Sequence, residues 1–204
     1  VIAALYVETG GVYFGLPDVD PWDEARDARL YNGPWPVVAH PPCTRWCCFA
    51  RANETRFGYK VGDDGGTFAA ALAAVRKYGG VLEHPALSLA WAAHDLPEPR
   101  SSGGWTLCLT DPGATAYVEQ GRYGHVTRKA TWLYAVGVEL LPLRWGRVND
   151  DTLGAVAWGS YLYKTGRQAH MQGRPRVTAR TANETPAAFR GVLLDLARSA
   201  SVPT

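Results

Sequence analysis

Cys43, Cys47 and Cys48 crowd three of the chain's four cysteines into six positions, directly after Pro41-Pro42 and close behind His40, in "AHPPCTRWCC". Three chemistries are open to such a cluster. The thiols can pack as small hydrophobes. Cys43 and Cys47 can ligate a metal with His40 and, as a fourth ligand, His84, although structural zinc normally uses two spaced ligand pairs and a clean second pair is missing, so no metal ligand is assigned. Or one thiol is a nucleophile on a backbone stiffened by proline, with a carboxylate partner. Glu83, in "GVLEHPAL", is the candidate partner.

The surrounding elements favour the third chemistry. "IAALYV" (2–7) is a short apolar run closed by Gly10-Gly11 and reads as a buried strand with a tight turn. "PVVAH" (36–40) predicts a second strand that feeds straight into Pro41-Pro42-Cys43. "TFAAALAAVRKYG" (67–79) places Phe68, Ala71, Leu72, Val75 and Tyr78 on one helical face, with Asp63 or Asp64 at its start and Gly79 at its end. "GVLEHP" (80–85) is then a strand. This strand–loop–helix–strand order is the unit of a parallel sheet, whose ligands bind beyond the carboxyl ends of the strands. Neighbouring strands would aim Cys43 and Glu83 into one crevice.

Further strands are expected at 106–109, 114–120 and 130–140, and a C-terminal helix at 185–200 with Thr185 as N-cap and Pro186 in its first turn. Residues 17–36 read as loop with a helical turn or two, and 49–66 as a mobile loop. The expected architecture is a single compact α/β domain, Rossmann-like, with a mostly parallel sheet and flanking helices. Its catalytic core spans 1–140, a small basic loop-rich segment 141–182, and a C-terminal helix returns over 183–204.

Composition narrows the class. At 204 residues the chain is long enough to bury a full core. The net charge of +2 does not mark an overtly basic protein, but Lys164, Arg167, Arg174 and Arg176 cluster late, interleaved with Trp158, Tyr161 and Tyr163, a mixture suited either to a solvated face or to a nucleic-acid strand. No run approaches a membrane span, and the N-terminal stretch does not read as a signal peptide. A reducing, cytoplasmic setting is the expectation, with the cysteines as thiols.

In order and spacing, "AHPPCTRW", "GVLEHPAL" and "YGHVTRKATWLYAVG" resemble three motifs of the cytosine-C5 DNA methyltransferases. "LYVETGGVYFGL" looks like that family's first motif, and "TANETPAAFRGVLLDLARS" is similar to its last. The resemblance covers nearly the whole chain. It implies a DNA base-modifying enzyme with base flipping, in which Cys43, held by Pro42, adds to C6 of cytosine and Glu83 holds the N3 and amine edge. Arg128 or Lys129 would hold the base or its phosphate. S-adenosylmethionine would lie against Gly10, Gly11 and Asn183, with Asp18, Asp20 or Asp23 as ribose ligand. Arg45, Lys164, Arg167, Arg174 and Arg176 would contact DNA. Glu8 stands where the family carries glycine, which puts a like charge beside the cofactor's carboxylate. Segment 141–182 corresponds to a reduced target-recognition region, an economy that suits a virus or mobile element. Two alternatives stay open: another modification of the activated pyrimidine without S-adenosylmethionine, and a nucleic-acid-binding module that has lost its chemistry.

Overall fold

The computed structural model describes residues 1–149, 153–156 and 175–201. Lys164, Arg167 and Arg174, with Trp158, Tyr161, Tyr163 and His170, lie outside them. The chain forms an α/β domain around a seven-stranded sheet: β1 (Ile2–Leu5), β2 (Val19–Trp22), β3 (Val37–Ala39), β4 (Gly80–Pro85), β5 (Trp105–Leu107), β6 (Gly113–Glu119) and β7 (Ala130–Val136), in the order β2-β1-β3-β4-β7-β6-β5.

The expectation of a mostly parallel sheet needs correction, because the sheet is mixed. β2, β1, β3 and β4 run parallel, whereas β4–β7, β7–β6 and β6–β5 pair antiparallel. The connections explain the change. The helix α2 (Thr67–Tyr78) lies between β3 and β4 and carries the chain back for a parallel crossover. Between β6 and β7 there is only a single 3-10 turn, Gln120–Tyr123, which permits an antiparallel return.

Each face of the sheet is buried under a helix. Ala3, Leu5, Val37, Ala39 and Leu82 pack with Phe68, Leu72 and Val75 of α2. The alternate residues Ile2, Ala4, Val38 and Val81 pack with Phe189, Leu193 and Leu196 of the C-terminal helix, Ala187–Arg198. The strands are therefore apolar on both sides and read as continuous hydrophobic runs. Close approach of β3 and β4 depends on Gly80, whose φ is +120° and where a Cβ would stand 2.0 Å from the Val37 carbonyl oxygen.

Several elements depart from the sequence reading. The stretch 17–36 contains β2 as well as two 3-10 turns, Glu24–Arg26 and Ala28–Leu30. The stretch 49–66 contains the helix α1 (Ala50–Phe57). A short helix α3 (Leu89–Ala93) follows β4, capped by Ser88. At the start of α2 the N-cap is Gly66 rather than Asp63 or Asp64, but the Asp64 carboxylate accepts from the Gly66 and Phe68 amides at 2.9 and 2.8 Å. The last helix begins one residue later than expected, with Pro186 rather than Thr185 at its N-cap. It is preceded by α4 (Ala179–Asn183), so the last helix is α5. Arg176 lies in β9 (Arg176–Val177), which pairs with β8 (Ala155–Val156) in a small separate sheet.

Candidate active site at the ends of β3 and β4

In β3 and β4, Val37, Val38 and Ala39 stand beside Gly80, Val81 and Leu82. Continuing this register by one residue sets His40 beside Glu83. Both share the pleat face of Val38 and Val81, while His84 takes the opposite face with Leu82. The side chains follow: His40 Nδ1 lies 3.0 Å from Glu83 Oε2, whereas His84 is fully buried against Phe68 and Trp91.

A carboxylate only accepts, so Nδ1–H of His40 donates to Glu83, and in the neutral ring Nε2 accepts from the Tyr13 hydroxyl at 2.8 Å. Gln120 Nε2 donates to the other carboxylate oxygen at 3.1 Å and to Thr131 Oγ1 at 2.9 Å. Both oxygens of Glu83 are thus engaged from within the protein. Burial works against charge on Glu83, but the His40 hydrogen bond and the positive field of Lys129 outweigh it and hold the carboxyl at about 2.

Cys43 lies just beyond, partly buried. Pro41 is buried and Pro42 exposed, and the Cys43 carbonyl accepts from the Trp46 and Cys47 amides at 2.9 and 2.8 Å. Proline fixes the entry to this turn and hydrogen bonds fix its exit. Burial pushes the thiol up to about 11, helped by Cys47 and by the negative charge of Glu83 and opposed by Lys129. The resting pair is therefore a protonated thiol and an ionised carboxyl.

A cavity of about 600 Å³ is lined by Cys43, Glu83 and His40 together with Gly11, Lys129 and Asn183. This is the crevice expected from the sequence. Lys129, at the entry to β7 with φ of +36°, donates to the carbonyls of Asn183 and Glu184 at 2.8 and 2.7 Å, tying the segment before α5 to the site. Burial lowers its pKa, against the pull of Glu83 and Cys43.

Other expected residues fall elsewhere. Arg128 is bound to the buried carboxylate of Glu119, which also accepts from Tyr117 and the Val148 amide, so it braces the chain after β7 instead of facing the cavity. Gly10 makes the turn with φ of +67° but does not line the cavity. Gly11 does, and a Cβ there would stand 2.8 Å from the Glu8 carbonyl oxygen. Of the acids considered for a ribose, Asp18 pairs with Arg198 and Asp20 with Arg26, while Asp23 caps a 3-10 turn and accepts from Thr9. Glu8 does reach the cavity, but Arg180 stands beside it at 3.7 Å. Arg176 is exposed in β9. Arg45 stacks over the ring of Tyr59 at 4.0 Å.

The four-ligand metal cluster does not form, since both nitrogens of His40 are engaged and His84 faces the other side of the sheet. Among the described residues no group of three or more His, Cys, Asp or Glu is placed to hold a metal ion. None of their helices is long and apolar enough to cross a membrane.

Sequence reasoning missed Tyr13 and Gln120 and considered His40 only as a metal ligand. The signal for His40 was present: it is the first polar residue after an apolar strand and the register neighbour of Glu83. No family model, curated protein or solved structure matches the chain.

Proposed function

We propose that the chain is a cytosine-modifying enzyme that acts on DNA through a covalent Cys43 adduct at C6 of the base. The observation that carries this reading is that Cys43 and Glu83 line one cavity at the ends of adjacent parallel strands. The Rossmann-like aspect of the proposal rests on the four parallel strands that present this end.

The proton cycle requires that entry of the base raise Glu83 from its resting value of about 2, because the resting carboxylate is too weak a base for a thiol near 11. Sγ bonds to C6, the thiol proton passes to the Glu83 carboxylate, and Glu83 delivers it to N3 as the C5=C6 electrons shift toward the ring nitrogen. One proton leaves sulfur and one arrives at N3, so no external acid is consumed. C5 is then an enamine-like nucleophile. After substitution at C5, loss of the C5 proton expels the thiolate, N3 returns its proton through Glu83 to sulfur, and the aromatic ring and the resting protonation states are restored. His40 and Gln120 hold the Glu83 carboxylate in place, and Lys129 stabilises charge on sulfur and carboxylate alike.

Support for S-adenosylmethionine beside the base comes from the charges on the cavity wall: the Glu8 carboxylate matches an ammonium and the Arg180 guanidinium a carboxylate, and Gly11 and Asn183 line the same cavity. Bound there, it would supply a methyl group to the activated C5. A second reading, the same adduct without this cofactor, draws on the same Glu8, because its negative charge disfavours a carboxylate ligand.

Incubation with DNA containing 5-fluorocytosine, with and without S-adenosylmethionine, followed by denaturing electrophoresis, tests the proposal, because fluorine at C5 blocks the final elimination. A shifted band that needs both Cys43 and S-adenosylmethionine is the expected result. A shift without the cofactor favours the second reading. No shift under either condition favours an inert binding module.

A further inference from the structure

On the other side of Pro42 lies a second cavity, of about 410 Å³, lined by Pro42, Thr44, Arg45, Tyr59, Asp63 and Asp64. Pro42 also walls the cavity that holds Cys43, so the two share one residue of the nucleophile loop. Three features give the second cavity a recognition chemistry. Its flat element is the Arg45 guanidinium stacked on Tyr59, a ring that is 42% exposed. A guanidinium–phenol stack of this kind is a platform for a planar base. Arg45 Nη1 is also buried with no hydrogen-bond acceptor among the described residues, so the protein leaves the guanidinium incompletely satisfied.

The third feature is the contrast between the two aspartates. Asp64 is saturated by Trp46 Nε1, Thr67 Oγ1 and the amides of Gly66 and Phe68. Asp63 has no side-chain hydrogen bond or ion pair among the described residues, and it does not neutralise Arg45 although both line the cavity. The cavity wall therefore carries a guanidinium that no carboxylate neutralises and an unpaired acceptor.

Guanine has the matching edges. It offers a broad purine face for the Arg45–Tyr59 stack, and N1–H and N2–H beside each other for a carboxylate. Adenine and cytosine pair a donor with an acceptor on the edge that would face Asp63, and thymine has only one donor there. We infer that this cavity is a subsite for a guanine next to the target base, held against Arg45 and Tyr59 and read by Asp63. The inference rests on the proposed function, since the shared Pro42 makes the guanine a neighbour in the same strand.

The test separates binding from chemistry. Labelled single-stranded oligonucleotides with one cytosine, flanked on its 5′ or 3′ side by G, A, T or C, are titrated into the Cys43→Ser protein and followed by anisotropy. Guanine on one side should bind at least about tenfold more tightly than adenine there, the scale of one good paired contact. Asp63→Asn, an exposed change, should erase the preference, and Arg45→Lys should reduce it. Absent or equal binding in all contexts overturns the subsite. So does guanosine monophosphate binding as tightly as the oligonucleotide, which would indicate a free-nucleotide site. Run with 5-fluorocytosine and the unsubstituted protein, the same contexts distinguish the two proposals. Adduct formation blind to the neighbour sinks the subsite alone, and guanine-selective binding without adduct sinks the adduct alone.

Discussion

His40 and Glu83 are register neighbours on adjacent parallel strands, and Nδ1 of the one lies 3.0 Å from Oε2 of the other. The contact places a hydrogen-bonded, ionised carboxyl at the floor of the cavity. It also sets an acid-sensitive element there, because Glu83 in the folded protein holds its charge down to about 2, from an ordinary 4.5.

Its pH signature has a definite sign. A depressed carboxyl pKa contributes stability that is complete above 4.5 and is lost as pH falls toward 2. His84 behaves separately. Burial lowers it from 6.5 to about 4, against the opposing pull of the Glu83 charge and the Pro42 backbone. The unfolded chain takes up that proton first, so stability also declines as pH falls from 6.5 to about 4. Urea denaturation across this range should show both windows. His84→Phe should flatten the upper one and Glu83→Gln the lower. An unchanged upper slope in His84→Phe would mean that another group controls it.

Cys43 should react slowly with iodoacetamide at neutral pH and faster as pH approaches 11, because burial and Glu83 keep the thiol protonated. Glu83→Gln removes a negative charge and should shift the rate profile to lower pH. Lys129→Met removes a positive one and should shift it upward. Mass-spectrometric rates for the Cys43 peptide measure both. Cys43→Ala should abolish the 5-fluorocytosine adduct with folding intact, whereas Cys47→Ala and Cys48→Ala should be milder. Equal loss of adduct in all three would remove Cys43 from its special role.

Glu83→Gln keeps the shape but cannot relay a proton. Turnover should fall by about 10²–10⁴-fold, the range for a lost acid–base group, with substrate affinity much less affected. Single-turnover kinetics beside equilibrium binding separate the two. A loss confined to affinity would make Glu83 a binding group only.

At Glu8 the structure modifies the expectation of simple repulsion, because Arg180 stands 3.7 Å away. Both side chains are largely exposed, so their effects should be modest. By calorimetry, Glu8→Gly should weaken S-adenosylmethionine binding by removing the partner of its ammonium, and Arg180→Ala should weaken it by removing the partner of its carboxylate. Heat from neither variant, with adduct chemistry retained, would assign the reaction to another donor.

The linear sequence was enough to place the strand that leads into Cys43, the amphipathic helix after it and the strand carrying Glu83. Local periodicity and the turn residues around Gly79 and Pro41-Pro42 carry that information within a few positions. β2 was hidden because Pro21 and the acids around it look like loop, and an edge strand with half-exposed residues lacks the apolar run of a buried one. The helix over 50–57 was hidden because it buries only Ala50 and so has almost no apolar stripe. Strand direction past β4, the diversion of Arg128 to Glu119 and the gathering of Tyr13, His40 and Gln120 around one carboxylate were decided by tertiary structure alone. Each depends on which strands become neighbours and in what register. Pairing between residues distant in the chain sets both, and no local pattern encodes it.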